Sequence, residues 1–441
     1  MSDIASRGVL PLTADVSGEG HLVIGGCDVL DLVAQYGSPL YVYDEETIRT
    51  RARQYVRGLQ AASPDSLVIY GCKAFANGAI FRLLAEEGLG LDVVSGGEIA
   101  LAHAAGFPMD RVYFHGNNKL PEELALAASV DVGRFVVDNF YELNALDELG
   151  QRLGVRVPAL IRVGPGVEAH THEYRKTGTL DSKFGVPIAT GQAETAVFQA
   201  MRAKGVLLVG LHAHIGSQIF EMAPYLETVQ IVLEFAARMR DRYGFALREL
   251  SPGGGWGISY TDDDDPMDAE EVARTVGGAV WRAAADHGMA APRVIIEPGR
   301  SIVGQAGVAL YTVGAIKDIP GIRRYAALDG GMADNIRPAL YGAIYQPLLA
   351  SRAGDGPMDT VTLAGRYCES GDVLVRDARL PTLRAGDIVA LPASGAYNLA
   401  MSSNYNQALR PAAVLARDGN ARLIRRRETY EDLLRIEVAL D

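Results

Sequence analysis

The chain has 441 residues, a net charge of -12 and 48% hydrophobic residues. Its length predicts two domains, and its hydrophobic content excludes a disordered chain. The negative charge argues against nonspecific nucleic-acid binding, because such a surface repels phosphates. Three cysteines in so long a chain indicate a reducing compartment without a disulfide framework. The start lacks a secretory pattern and no stretch of about 18 apolar residues occurs, so we expect a cytoplasmic protein without a membrane span.

Short apolar runs alternate with helix-like stretches through the middle of the chain. Asn77–Glu87 is such a stretch and ends at Gly88, a residue suited to a left-handed helix end. Ser95 to Glu98 has the pattern of a capping box at the start of the next helix. Eight such units predict an α/β fold, a (β/α)8 barrel with a parallel sheet. The runs are Leu67–Tyr70, Gly90–Val94, Arg111–His115, Phe135–Asp138, Ala159–Val163, Leu207–His212, Arg248–Ser251 and Arg293–Glu297.

After Arg300 the pattern changes to strand-like runs separated by turns, which predicts a second, mostly β domain, a β-barrel or sandwich. His21–Ile24 and Leu40–Tyr43, near the start, are also strand-like. We therefore predict a barrel over residues 41–303 and a β domain made of 1–40 and 304–441. The later runs are Gly307–Ile316, Thr360–Leu363, Val373–Val375, Asp387–Leu391 and Ala421–Ile424.

Polar residues recur where the predicted barrel strands end, which is where such barrels carry their active sites. Lys73 follows the first run. It is either a surface lysine or a lysine that forms a Schiff base with a carbonyl compound, and its position after a strand favours the second. The Gly253–Gly257 turn and Gly299 expose backbone N–H groups that suit a phosphate, although neither a nucleotide P-loop nor a GxGxxG pattern is present.

Glu297, at the end of the last run, either pairs with Arg300 nearby or faces a pyridine nitrogen and keeps it protonated. His212 and His214 alternate along one run. Because no further cluster has ligand spacing, we expect no metal site. A histidine stacked on a flat cofactor is the better functional interpretation, and a core histidine is the alternative.

Three polar stretches interrupt the predicted β domain: 329–341, 368–372, and 395–397 together with 402–406. Arg337 and Tyr341 lie four residues apart, so on a helix they share a face and together suit a carboxylate. An exposed helix face explains this spacing equally well. Cys368 beside Glu369 is either a buried, inert thiol or part of a site, and the glycine-bounded loop favours a site.

The motifs resemble those of the diaminopimelate decarboxylases, in the alanine-racemase-like barrel group of pyridoxal-phosphate (PLP) enzymes that includes ornithine and arginine decarboxylases. The resemblance runs from Gly37 to Leu434. Motifs shared with the wider group are Lys73-Ala74, Asp92 to Glu98, His214 to Ser217, the Gly253 loop and Glu297 to Arg300. Motifs specific to the diaminopimelate decarboxylases are His170 to Glu173, Thr177-Gly178, Ser182 to Gly185, Met332 to Tyr341 and Cys368 to Asp372.

The resemblance implies a role for each matching residue. Lys73 binds PLP as a Schiff base, His214 stacks on its ring and Glu297 meets its pyridine nitrogen, with Asp92 also at the cofactor. The phosphate is surrounded by Ser217, Gly253, Gly254, Gly255, Gly299, Arg300 and Tyr397. The substrate is held by Arg300, Arg337, Tyr341, Glu369 and Tyr397. Cys368 protonates the α-carbon from the second subunit, which implies a homodimer with shared active sites.

The resemblance implies decarboxylation of meso-2,6-diaminopimelate to L-lysine and CO2. A decarboxylase of ornithine, arginine or lysine would not need both Arg337 and Tyr341, whereas one acting on a carrier-bound amino acid of a natural-product pathway stays open. An alanine-type racemase would need a tyrosine in place of Cys368, and PLP-carrying barrel proteins without activity usually lack a second domain. The sequence departs from the family at Gly71-Cys72 and at Gly365-Arg366-Tyr367, where a Gly-Pro pair is typical.

Overall fold

The computed structural model describes residues 8–167, 182–353 and 357–438. The chain divides into two compact units. The first, here called the β unit, comprises Met1–Thr50, Ile258–Asp265 and Ile302–Asp441, and the second, the barrel unit, comprises Arg51–Gly257 and Pro266–Ser301. Within the described residues, no helix has both the length and the apolar composition that crossing a membrane requires. The specific motifs at 170–173 and 177–178 lie outside the described residues.

The chain begins with short strands of the β unit. Asp28 caps the first helix, because its carboxylate accepts a hydrogen bond from the backbone N–H of Leu30 at 2.8 Å. That helix ends at Gly37, whose φ of 74° suits glycine. The elements are β1 (Asp15–Val16), β2 (Leu22–Ile24), β3 (Cys27–Asp28), α1 (Val29–Tyr36), β4 (Leu40–Asp44) and α2 (Glu45–Ala62).

Eight parallel strands form a closed barrel in the barrel unit, since each pairs with its neighbour and the last pairs with the first. The strands are β5 (Ser66–Gly71), β6 (Gly90–Val93), β7 (Val112–Phe114), β8 (Arg134–Val137), β9 (Val157–Gly164), β11 (Val206–His212), β12 (Glu249–Ser251) and β13 (Arg293–Ile296), with a short β10 (Val186–Pro187) beside β9. The helices are α3 (Gly78–Glu86), α4 (Gly96–Ala104), α5 (Pro121–Ser129), α6 (Phe140–Leu153), α7 (Gln192–Arg202), α8 (Ala223–Tyr243), α9 (Ala269–Asp286) and α10 (Arg300–Val303). The predicted barrel is therefore confirmed.

The helix ends follow the sequence signals, with one difference. Asn77 caps α3 through its side chain, and Gly88 beyond the helix has a φ of 83°. Ser95 caps α4 by accepting a hydrogen bond from the N–H of Glu98. The Glu98 carboxylate accepts from the N–H of Val94 at 2.7 Å and so reaches one residue further back than a capping box requires.

Apolar side chains from several strands meet inside the barrel and fill it. Leu67, Ile69, Val136, Leu160 and Ile295 belong to one buried cluster. Residues of four different strands can share a cluster only on the inner face of a closed sheet. The barrel is thus a packed core, and its chemistry is confined to the mouth where the strands end.

A mixed sheet forms the remainder of the β unit, in the order β18-β17-β15-β14-β4-β20-β21. The N-terminal strand β4 lies between β14, to which it is antiparallel, and β20, to which it is parallel. This pairing places Leu40–Asp44 in the β unit, whereas the predicted barrel began at residue 41. The elements are β14 (Gly307–Ile319), β15 (Arg323–Leu328), α11 (Arg337–Tyr341), β16 (Leu348–Leu349), β17 (Met358–Ala364), β18 (Val373–Pro381), β19 (Ile388–Leu391), β20 (Ala412–Arg417), β21 (Asn420–Arg425) and α12 (Tyr430–Leu434).

Two strands of this sheet were missed by the sequence analysis. Arginines begin β15 and alanines make up half of β20, so neither segment is rich in the β-branched and aromatic residues that mark a strand. Both are strands because they pair with β14 and β4, which are far away in the sequence.

Candidate active site at the barrel mouth

Backbone hydrogen bonds bring three predicted segments together at the mouth of the barrel. The N–H of Gly71, at the end of β5, donates to the carbonyl of Pro298 at 3.2 Å. The N–H of Glu297 donates to the carbonyl of Gly253 at 3.0 Å. The segment that carries Lys73, the glycine turn after β12 and the turn after β13 are therefore neighbours.

Lys73 lies in a single helical turn, Cys72–Ala74, directly after β5. Its side chain is exposed, but its charge acts on buried groups of the mouth. Burial raises the pKa of Asp92 to about 7, and the positive charge of Lys73 opposes that rise. Burial also lowers the pKa of His214 well below its usual value, and Lys73 lowers it further. The amine therefore faces the barrel mouth.

The carboxylate of Glu297 is buried and held by neighbouring side chains. Ser251 donates its hydroxyl hydrogen to Oε1 at 2.7 Å, and His212 Nε2 lies 3.1 Å from Oε2. His115 Nε2 lies 3.8 Å from Oε1. Burial alone would raise the pKa of Glu297, but His212 and His115 outweigh it, and the pKa lies well below its usual range. Glu297 is thus a buried anion.

A second part of the mouth presents hydrogen-bond donors around glycine backbone. Gly253 and Gly255 have φ values of 87° and 103°, which L-residues rarely adopt. The N–H of Gly254 donates to His214 Nδ1 at 3.2 Å, which fixes the imidazole beside the turn. Arg300 donates from Nη2 to the hydroxyl of Ser217 at 3.0 Å. The guanidinium and the hydroxyl beside this turn are donors of the kind that bind phosphate.

These residues fit PLP, group by group. Lys73 offers an amine for the aldehyde, and the buried anion Glu297 suits a protonated pyridine nitrogen. His214 offers a flat ring, while Arg300 and Ser217 offer phosphate donors. The donor set therefore matches the cofactor that the sequence analysis predicted.

Ligand atoms of His115, His212 and Glu297 all lie within 4.8 Å of one another. This spacing would also suit a metal ion, so the expectation of no metal site stays a prediction. Ser251, His115 and His212 were not assigned to the site from sequence. Each stands at or next to the end of a barrel strand, and this shared position is the signal that would have found them.

The β unit contains the other predicted site residues. Arg337 begins α11 and is buried, with its guanidinium 4.4 Å from the ring centre of Tyr260. Its Nη1 donates to the hydroxyl of Tyr345 at 2.7 Å. Tyr397 is one of the neighbours that raise the pKa of the Arg337 guanidinium. Its φ of 62° is a strained conformation for a tyrosine. Tyr341 is half-buried at the other end of the same helix.

Cys368 and Glu369 are exposed on a loop that Asp372 organises. The carboxylate of Asp372 accepts hydrogen bonds from the N–H groups of Tyr367 at 2.8 Å and Met332 at 2.7 Å. The N–H of Cys368 donates to the side-chain oxygen of Asn406 at 3.0 Å. The loop therefore presents its thiol outward, and the role of each residue stays a prediction.

Comparisons with known proteins agree on one family. Residues 45–304 match the sequence model for "Pyridoxal-dependent decarboxylase, pyridoxal binding domain". A diaminopimelate decarboxylase of Bacillus subtilis is 48% identical over 419 residues, which cover 95% of each chain. One of Synechocystis is 46% identical over 98% of this chain and 93% of its own. The crystal structure of a diaminopimelate decarboxylase from M. jannaschii in complex with L-lysine superposes with a TM-score of 0.91 at 34% identity, covering 97% of this chain and 98% of its own.

Proposed function

Since this chain belongs to the pyridoxal-dependent decarboxylases, as a member of the diaminopimelate decarboxylases, we propose that it converts meso-2,6-diaminopimelate to L-lysine and CO2. The family predicted from the motifs is confirmed, and with it the carboxy-lyase class and the cofactor PLP. The observation that carries the proposal is the meeting of the Lys73 segment, the anion Glu297 and the glycine turn at one barrel mouth.

Bound PLP supplies an electron sink for the electrons of the carbon–carboxylate bond. Lys73 would hold the cofactor through its amine, and His214 would lie against the ring. Glu297 would keep a proton on the pyridine nitrogen, because its own affinity for a proton is low. Ser217 and Arg300 would hold the phosphate together with the glycine turn.

The substrate's far end requires partners for a second carboxylate and a second ammonium group. Arg337 and Tyr341, with Arg300, are the proposed carboxylate partners, and Glu369 is the proposed ammonium partner. A site that hydrogen-bonds both groups rejects analogues lacking one, because a buried partner would be left unpaired. This is the proposed reason for preferring diaminopimelate to ornithine, arginine or lysine.

The activity is tested with purified protein, PLP and meso-diaminopimelate, by measuring L-lysine and CO2. We expect turnover in the wild type and in Lys204→Ala, which removes an exposed lysine of the barrel unit, and none in Lys73→Ala. The 73 variant should also lose the absorbance of lysine-bound PLP. Protein that retains PLP but does not turn over meso-diaminopimelate would overturn the substrate assignment.

Cys368 is proposed to protonate the α-carbon, and we propose that it does so in the active site of a second subunit. Its exposure on an outward loop supports this arrangement. The test mixes inactive Lys73→Ala and Cys368→Ala variants after reversible dissociation. Random reassortment makes about half of the dimers mixed, each with one intact site, so about a quarter of wild-type activity should return. A mixture that stays inactive despite exchanging subunits would argue against shared sites.

We also propose that the enzyme acts in the cytoplasm. A thiol that must donate a proton has to stay reduced, and Cys368 is an exposed free cysteine. Fractionation of cells that produce the tagged protein tests this, and recovery of the protein outside the cytoplasm would contradict it.

A further inference from the structure

A cleft of about 550 Å³ opens in the β unit. This volume is within the range of sites that bind small molecules. Two of its lining residues, Arg366 and Tyr367, belong to the stretch in which the sequence departs from its family. The lining residues are Ser38, Pro39, Asp329, Asp334, Arg366, Tyr367, Asn406, Gln407, Ala408, Leu409, Pro411, Arg427 and Tyr430.

Two carboxylates of the cleft are fixed by hydrogen bonds from one side. Asp329 accepts from the hydroxyl of Ser38 at 2.5 Å and from the N–H of Thr312 at 2.9 Å. Asp334 is buried and accepts from the hydroxyl of Tyr311 at 2.6 Å. The cleft therefore has acidic groups whose positions are set by the protein and not by solvent.

Two guanidinium groups line the same cleft. Arg427 is held by its Nη2, which donates to the carbonyl of Pro39 at 2.7 Å, and Arg366 is exposed. Among the described residues, neither arginine forms an ion pair within 4.0 Å with Asp329 or Asp334. Opposite charges thus share a cleft without neutralising each other by direct contact.

The rim of the cleft is strained and contacts the loop that carries Cys368. Asn406 and Gln407 have φ values of 52° and 57°, in the left-handed region that glycine prefers. Such conformations are strained for residues other than glycine and concentrate at active and ligand-binding sites. The side chain of Asn406 accepts the N–H of Cys368 at 3.0 Å, so the rim and the loop are joined directly.

We propose that this cleft is a second binding site for a small zwitterion, an amino acid with its carboxylate on Arg366 and Arg427 and its ammonium group on Asp329. A zwitterion offers a partner to both charge types at once, because its carboxylate pairs with guanidinium groups and its ammonium group pairs with a carboxylate. The choice of L-lysine as probe rests on the proposed function, since L-lysine is the proposed product. A ligand in the cleft that touches Asn406 and Tyr367 would contact the hydrogen-bond partner of the Cys368 N–H and the residue that precedes Cys368 in the chain.

The test counts L-lysine molecules bound to the PLP-loaded enzyme by equilibrium dialysis, while the absorbance of bound PLP reports on the barrel mouth alone. We expect two molecules per chain, of which only one changes the absorbance. Arg366→Gln should weaken the absorbance-silent event at least about tenfold, because a charged partner is lost. The matched control Arg376→Gln, which removes an exposed arginine outside the cleft, should leave both events unchanged.

Asp329→Asn is a second variant, and it should weaken the absorbance-silent binding event to the same extent. If Asp329→Asn does not fold, Arg366→Gln still carries the test, because Arg366 is exposed. A wild-type count of one, fully matched by the absorbance change, would overturn the proposal, as would a silent event that both variants retain. Failure of the proposed activity would be seen separately as absent turnover of meso-diaminopimelate. It would leave the number of silent sites unchanged.

Discussion

Glu297 owes its charge to its neighbours and not to solvent. Burial by itself favours the protonated acid, yet Ser251 and His212 each contact one carboxylate oxygen, at 2.7 Å and 3.1 Å. Hydrogen bonds that are already in place cost no rearrangement when charge develops on a cofactor. The carboxylate is therefore prepared to pair with a positive nitrogen.

Replacement of this carboxylate should separate cofactor binding from turnover. Glu297→Gln keeps the shape and removes the charge, so we expect kcat to fall by about 100-fold or more while PLP is still bound. Steady-state kinetics and the absorbance of bound PLP measure the two effects. Glu234→Gln, at an exposed ion pair, is the control and should change neither. An active Glu297→Gln enzyme would remove the glutamate from the mechanism.

Asp92 should make the stability of the cofactor-free protein depend on pH. Burial raises its pKa from 3.8 to about 7, so the folded protein binds this proton more tightly than the unfolded chain. This contribution to the unfolding free energy is fully present when the pH is below the pKa of Asp92 in the unfolded chain. It is lost as the pH rises through the pKa of Asp92 in the folded protein. Between pH 5 and 8, wild type should lose roughly 2–3 kcal/mol more of its unfolding free energy than Asp92→Asn.

Urea unfolding at several pH values measures this difference. Asp286→Asn, which changes an exposed aspartate, should retain the wild-type slope. Parallel curves for wild type and Asp92→Asn would show that Asp92 does not hold the extra proton.

The turn after β12 depends on glycine for a packing reason. A Cβ atom on Gly254 would overlap the carbonyl oxygen of Glu297, which is backbone and cannot rotate away. The turn and the end of β13 would have to separate, and the two groups proposed to hold opposite ends of PLP would separate with them. Gly254 therefore serves the packing between two elements, in addition to its proposed place at the cofactor phosphate.

Gly254→Ala should consequently weaken PLP binding by at least about 100-fold and destabilise the protein by more than about 2 kcal/mol. Fluorescence titration with PLP and urea unfolding measure the two effects. Gly88→Ala is the control, because its φ is 83° but no atom lies within 4 Å of the new Cβ. It should cost only about 1–2 kcal/mol for the left-handed conformation and leave PLP affinity unchanged. Equal effects of both substitutions would contradict the packing argument.

Across the whole molecule, the N-terminal strand holds a C-terminal sheet together. The β4 strand is central, with β14 on one side and β20 on the other. It comes from the N-terminal part of the sequence, whereas both neighbours come from the C-terminal third. Val42 in this strand is fully buried. The β unit therefore cannot complete this sheet without Leu40–Asp44.

Val42→Asp should unfold the β unit, because an unpaired carboxylate in a central strand costs more than about 4 kcal/mol. Circular dichroism and size-exclusion chromatography would show lost structure or aggregation. Leu423→Asp places the same carboxylate on β21 at a side chain that is 50% exposed, and it should change stability by about 0.5 kcal/mol or less. A folded Val42→Asp protein would show that the sheet does not need an apolar centre.

The sequence by itself determined the barrel and the identity of Lys73 and Glu297 as candidates. Parallel strands buried on both faces leave short apolar runs at regular spacing, and a lysine or glutamate at the end of such a run or within a few residues of it marks a strand end. It also determined the family, because the motifs around these residues are specific.

Only the tertiary structure decided which polar groups touch. Ser251 and Glu297 are 46 residues apart in the sequence and form a hydrogen bond because β12 and β13 are adjacent in the sheet. The mixed-charge cleft depends in the same way on Ser38, Asp329 and Arg427, which pairing within the β unit brings together. Local patterns record burial and backbone preference, whereas contacts between distant segments exist only once the chain is folded.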